Sequence, residues 1–142
     1  MATKRELLAS VPLFSACSSK ELAHIARLAD RISARADEVL AEEGSVGREF
    51  FVIERGQAAV SIGGKKVATL GPGEFFGEMA LLDEQARVAT VTAAGSMVLY
   101  VIKETEFTRF LEESPALIRR ILTGVAERLR IVEKAPTYAW KH

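Results

Sequence analysis

Between about residue 31 and residue 102 the helical period disappears and glycine takes over the punctuation. Gly44, Gly47, Gly56, Gly63, Gly64, Gly71, Gly73, Gly77 and Gly95 all fall in this interval, at turn-like spacings. What lies between them is short and apolar. Ile32, Ala34 and Ala36 alternate with polar neighbours, Phe50-Phe51-Val52-Ile53 is a compact run, and Val60, Ile62, Val67 and Leu70 continue in strand fashion. Gly63-Gly64 between two such segments predicts a two-residue hairpin, and Leu70-Gly71-Pro72-Gly73 predicts another turn. Many short strands in about 70 residues predict a sandwich or barrel of jelly-roll type.

Helical spacing frames this core on both sides. Ser18-Ser19-Lys20-Glu21 has the form of a capping box, and Leu22, Ile25, Ala26 and Ala29 follow at helical intervals, predicting an amphipathic helix over 18–29. Upstream, Glu6-Leu7-Leu8 and then Val11-Pro12-Leu13-Phe14 predict a short helix followed by a turn with apolar anchors. After residue 103, Phe107, Phe110 and Leu111 form one short apolar face. Pro115 opens a longer helix whose stripe is Ile118, Ile121, Leu122, Val125, Leu129 and Val132, and Pro136 stops it. The expected fold is α+β and mainly β: a jelly-roll β-barrel flanked by N-terminal helices and a C-terminal helix pair. It fills a single domain over 1–142, helical over 1–30, a β-roll over 31–102 and helical over 103–135, with no room for a second domain.

Composition narrows the function. Nineteen basic and 19 acidic residues leave a net charge of zero, so no bulk attraction to nucleic acid or anionic lipid is expected. The single cysteine, Cys17, precludes an internal disulfide and fits a reducing compartment. The longest strongly apolar run, 98–102, is far too short to span a bilayer, and Met1-Ala2-Thr3-Lys4-Arg5-Glu6 leads into no signal-peptide core. A cytoplasmic setting is expected. With only His24 and His142 beside that cysteine, neither a zinc site nor a His-rich metal centre can be assembled, which also removes a cupin-type metalloenzyme from consideration. His24 falls on the polar side of its helix. Arg119, Arg120, Arg128, Arg130 and Lys134 read as a solvated face balanced by Glu127 and Glu133. Gly71-x-Gly73-x-x-x-Gly77 is not a dinucleotide fingerprint, and Gly63-Gly64-Lys65-Lys66 is not a P-loop.

The segment Phe76-Gly77-Glu78-Met79-Ala80-Leu81-Leu82-Asp83-Glu84-Gln85-Ala86-Arg87-Val88-Ala89-Thr90 carries the chemistry. Gly77 lets the backbone come close to a ligand, and a helical turn over 78–82 would present N–H groups to an anion. Nine residues after Glu78, Arg87 can fold back over the same spot with a planar fork suited to phosphate oxygens. Glu78 can accept hydrogen bonds from sugar hydroxyls. Together they suit a small phosphorylated sugar, while a plain Glu–Arg ion pair explains the two residues nearly as well.

The same segment resembles the phosphate-binding cassette of the cyclic nucleotide-binding domain family, G-E-x-A-L-(loop)-R-x-A-[ST], through Gly77, Glu78, Ala80, Leu81, Arg87, Ala89 and Thr90. The resemblance extends to Val11-Pro12-Leu13-Phe14, the Ser18 helix, 50–56, 70–78 and the terminal helices. Ala36-Asp37 departs from it, standing where many members have a glycine in a turn. The resemblance implies a binding set of Gly77, Glu78, Met79, Ala80, Arg87, Val88 and Ala89. Glu78 would take the ribose 2′-hydroxyl and Arg87 the equatorial phosphate oxygen, with backbone N–H groups of Ala80 and Val88 completing the cradle. Members that favour cGMP usually have a threonine after the arginine, so Val88 implies cAMP over cGMP. A lid over the base would come from Leu129, Val132, Tyr138 or Trp140. The implied role is a non-enzymatic sensor that shifts its C-terminal helices on binding and uses no cofactor. Its partner would be another protein, or a second copy joined through the last helix, with neither nucleic acid nor membrane bound directly. A nucleotide-independent interaction module, or the truncated sensor part of a transcriptional regulator, would have the same fold.

Overall fold

The computed structural model describes residues 2–83 and 85–132. Helix α1 (Lys4–Ala9) is capped by Thr3 and Glu6 in reciprocal fashion, and Pro12–Phe14 form a 3-10 turn. Helix α2 (Ser19–Leu28) carries the capping box that the sequence predicts, with Ser18 Oγ accepting from Glu21 N–H and Glu21 Oε1 accepting from Ser18 N–H. Eight strands follow: β1 (Asp30–Ala34), β2 (Val39–Ala41), β3 (Glu49–Arg55), β4 (Ala58–Ile62), β5 (Lys65–Leu70), β6 (Phe75–Phe76), β7 (Thr90–Ala93) and β8 (Met97–Lys103). Between β6 and β7 lies a second 3-10 turn, Glu78–Leu81. Helices α3 (Glu104–Glu113) and α4 (Pro115–Val132) complete the described chain.

The strands form two antiparallel sheets, ordered β1-β8-β3-β6 and β2-β7-β4-β5, which face each other as a jelly roll. The hairpin at Gly63-Gly64 joins β4 to β5, with both glycines at positive φ of 60° and 80°. The alternation read over 32–36 ends one step early, because Ala36 is exposed in the turn before β2. In that turn Asp37 takes φ 70°, the one left-handed non-glycine among the described residues, and its N–H donates to the Ala93 carbonyl at 2.8 Å.

Strand β3 explains why Phe50-Phe51-Val52-Ile53 is apolar without alternation: both of its faces are covered. Phe51 and Ile53 point between the sheets, among Val60, Leu70, Val91, Leu99 and Val101. Phe50 and Val52 point outward into a second cluster built with Leu8, Leu13, Phe14, Ile25, Phe107, Leu117 and Ile121. Phe14 meets Phe50 edge-on at 6.1 Å and Phe107 at 5.8 Å, so the N-terminal turn, the sheet and α3 converge on one aromatic knot.

Helix α4 packs differently from its predicted stripe. Leu117 and Ile121 are buried and Val125 is half-buried, whereas Ile118, Leu122 and Leu129 are exposed. The side chain of Val132 and all of Tyr138 and Trp140 lie outside the described residues. The apolar positions of α4 span two faces, and only one of them meets the core. Contact is made possible by Gly124, where an added Cβ would stand 2.0 Å from the Leu13 carbonyl oxygen. Arg120 Nη1 adds an ion pair to Glu21 Oε2 at 3.1 Å, tying α4 to α2. His24 is also less polar in setting than its helix position suggests, since it stacks on Phe110 at 3.9 Å.

In an open helix Gly→Ala gains about 1 kcal/mol. Gly124→Ala is expected to do the reverse, lowering the stability measured by denaturant titration by about 1–3 kcal/mol through overpacking. Gly95→Ala, which meets nothing within 4 Å, should leave stability within about 0.5 kcal/mol of wild type. A stabilised Gly124→Ala would contradict the close contact.

Candidate functional site

The site is built where β6 ends. Phe76 stacks on Phe51 at 4.8 Å and 19°, which fixes the strand against the inter-sheet core. The next residue, Gly77, adopts φ 81° and ψ 17°, a left-handed conformation that turns the chain into the 78–81 turn. It is required for space as well, since a Cβ there would stand 2.3 Å from Arg87 Nη1 and 2.8 Å from the Glu49 carbonyl oxygen. Within the turn Glu78 is fully buried, Met79 is half-buried, and Ala80 and Leu81 are buried. Leu81 plugs into the helix-facing cluster that contains Phe107 and Leu13. The Ala80 N–H, implied by the family resemblance to face a phosphate, donates here to the Gly77 carbonyl at 3.0 Å.

Arg87 returns to the same place through main-chain pairing with the 44–47 loop. Its N–H donates to Ser45 O at 2.7 Å, its carbonyl accepts from Gly44 N–H at 2.9 Å, and Gly47 N–H donates to Gln85 O at 3.1 Å. Val46 and Ala86 form the accompanying bridge. The side chain is then laid down between two glycines. A Cβ at Gly47 would stand 2.7 Å from its Nε, and Gly77 closes on its Nη1 from the other side.

Arg87 is 8% exposed, and its Nη2 donates to the Glu49 carbonyl oxygen at 2.6 Å. Among the described residues that main-chain carbonyl is the one acceptor met by a guanidinium with five N–H donors, and Arg87 closes no ion pair there. Burial pulls its pKa down, partly opposed by the negative charge of Glu49, yet an arginine keeps its proton throughout the accessible pH range. The result is a desolvated cation holding donors in reserve. A cavity of about 260 Å³ opens beside it, lined by Gly47, Met79, Ala80, Gln85, Arg87 and Val88 among others. A second concavity of about 330 Å³, on the β2–β3 side, is bounded by Glu42, Ser45, Arg48, Glu49 and Arg87.

The structure thus brings Gly77, Met79, Ala80, Arg87 and Val88 to one place, with Glu78 buried in the turn between them. Val88 is 45% exposed at the mouth. Ala89 turns into the inter-sheet core beside Val91; it does not line the 260 Å³ cavity but shares a small recess with Gly77, Arg87 and Val88. Leu129 is exposed and borders neither concavity. Sequence reading passed over Gly47 and Glu49. The spacing Gly44-x-x-Gly47 was available as a signal, but it reads as a turn. A further concavity, about 830 Å³, is a shallow trough along the exposed face of α4 near Ile118 and Leu122 and contains none of the cassette residues. Among the described residues no helix is long and apolar enough to cross a membrane.

A jelly roll with a glycine-led buried glutamate and a buried arginine at its mouth has the donor chemistry that suits a small anion. Comparison with known families makes the class specific. The profile of the cyclic nucleotide-binding domain matches residues 31–114, and the chain belongs to that family. It is 34% identical over 114 residues to a cAMP-dependent protein kinase regulatory subunit of Schizosaccharomyces pombe, covering 80% of this chain and 28% of the relative. It is 36% identical over 124 residues to a cyclic nucleotide-gated potassium channel of Mesorhizobium japonicum, covering 87% of this chain and 34% of the channel. The chain therefore spans about a third or less of these relatives. Among solved structures, the N-terminal domain of a transcriptional regulator from Streptomyces coelicolor superposes with a TM-score of 0.80 at 26% identity. That match covers 91% of this chain and 96% of the other.

Because Gly77 needs both its φ and its missing Cβ, Gly77→Ala should lower stability by about 1–3 kcal/mol and displace the Arg87 guanidinium. Chemical denaturation reads the first effect, and the Arg87 side-chain N–H resonance reads the second. Wild-type values for both would contradict the described seat.

Proposed function

We propose that this chain binds a 3′,5′-cyclic nucleotide beside Arg87, prefers cAMP to cGMP, and passes the occupancy of that site to α3 and α4. The observation that carries this reading is the buried guanidinium with unused donors next to a cavity. A cyclic phosphodiester is a monoanion that loses hydration on burial and must recover charge-assisted hydrogen bonds, each worth about 1.5–3 kcal/mol. Arg87 offers them from a planar fork matched to phosphate. Glu78 is the carboxylate assigned to the ribose hydroxyl, and Val88 at the mouth offers no hydroxyl to guanine. The names of the relatives, cAMP-dependent regulatory subunits and cyclic nucleotide-gated channels, support the same ligand class.

Transmission follows from shared packing. Leu81 closes the 78–81 turn and sits in one cluster with Leu13, Phe107, Phe110 and Leu117. A phosphate drawing on that turn moves Leu81, and the helices must repack around it. The hinge lies between Phe107 and Pro115. Ligand shifts the equilibrium only by its differential affinity for the two arrangements. The exposed row Ile118, Leu122 and Leu129 then provides a face for a protein partner or a second copy, in keeping with a regulatory rather than a catalytic module.

Calorimetric titration of nucleotide-stripped protein tests the reading. Cyclic AMP should bind, cyclic GMP should bind more weakly, and Arg87→Ala should lose about 2–5 kcal/mol of binding free energy. Absence of heat with both nucleotides, from protein shown to be folded, would overturn it.

A further inference from the structure

Glu49 has no place in the cassette pattern, yet the structure sets it against the cassette arginine twice. Its main-chain carbonyl accepts from Arg87 Nη2 at 2.6 Å. Its side chain shares the face of β3 that carries Phe51 and Ile53, so it points to the interior of the roll at the open end where Arg87 lies. Glu49 is half-buried, and it bounds the 330 Å³ concavity together with Arg87. From there its negative charge favours the charged guanidinium, against the lowering of the Arg87 pKa by burial.

We propose that the Glu49 carboxylate is a built-in counter-charge that weakens the site's affinity for its anionic ligand. This inference rests on the reading of the site as a cyclic nucleotide receptor. Arg87 has its charge partly balanced by Glu49 and one donor parked on the Glu49 carbonyl. An incoming phosphate must displace that arrangement and approach a second negative charge in a half-buried place, where screening is weaker than in bulk water. The surrounding charges are of both signs, and the two cations among them oppose Glu49 in part. Glu42 is exposed at the same rim and adds to the repulsion, Arg48 is exposed there, and Lys103 stands directly across the ladder from Glu49. A neutral residue at 49 would keep the parking carbonyl, which belongs to the main chain, and remove only the competing charge.

The test is the affinity of nucleotide-stripped wild type, Glu49→Gln and Glu49→Ala for cAMP, measured from low to high salt. Both variants should bind about three- to tenfold more tightly at low ionic strength. Their affinity should also fall more steeply with salt, so that the advantage fades near 1 M, where the screening length is about 3 Å. A merely structural role for Glu49 would not change the salt slope. If wild type binds and the variants bind equally or more weakly, the counter-charge proposal is overturned while the receptor reading stands. If none of the three folded proteins binds, the receptor reading falls and the counter-charge proposal falls with it.

Discussion

Arg87 carries a permanent positive charge into a place where water scarcely reaches it, and much of the surrounding chain is arranged around that fact. Removing a guanidinium from water is costly unless its donors are met. Here one donor is met by the Glu49 carbonyl, and glycines at 47 and 77 leave the space in which the planar group lies. The 44–47 loop is zipped to residues 85–87 by main-chain hydrogen bonds, so the arginine is delivered by backbone geometry and not by its own flexible stem. The remaining donors make the seat a standing attraction for an anion of the right size.

The rest of the fold supplies the frame that holds that seat and the packing that joins it to the helices. Strand β3 is the common element. Its first residue faces Arg87, its inward residues Phe51 and Ile53 close the inter-sheet core, and its outward residues Phe50 and Val52 receive the helices. Leu81 of the 78–81 turn packs in the helix-facing cluster, together with Phe50 and Val52 of β3 and Phe107 of α3. Helix α4 meets the same cluster at Leu117 and Ile121 and closes on the N-terminal turn through Gly124. Close packing of this kind responds to a displaced neighbour by moving as a body rather than by yielding locally.

Much of this was legible in the residues themselves. The Ser18 capping box, the Gly63-Gly64 hairpin and the apolar strand at 50–53 follow from local chemistry and stand where the sequence puts them. Gly77, Glu78 and Arg87 are singled out by their resemblance to the cassette pattern, since a plain ion pair fits the last two residue types nearly as well. What escaped reading has a common cause: it depends on which neighbour the tertiary fold brings near. A glycine needed for a turn and one needed for contact share the same letter, so Gly47 and Gly124 passed as punctuation and as an ordinary helix residue. The part of Glu49 that touches Arg87 is its carbonyl, which residue type does not encode. The stripe on α4 contained more apolar residues than one face can hold. Periodicity alone could not choose Leu117 and Ile121 over Ile118 and Leu122 for burial.

If the Arg87 guanidinium is the seat for a cyclic phosphate, its own side-chain resonance must respond to that phosphate. Following the Arg87 Nε–H signal during additions of cAMP, and separately of adenosine, separates phosphate recognition from base or sugar contact. A large, saturable shift with cAMP and none with adenosine is the expected result. An unmoved Arg87 signal, in protein whose other resonances titrate with cAMP, would place the phosphate elsewhere and contradict the assignment.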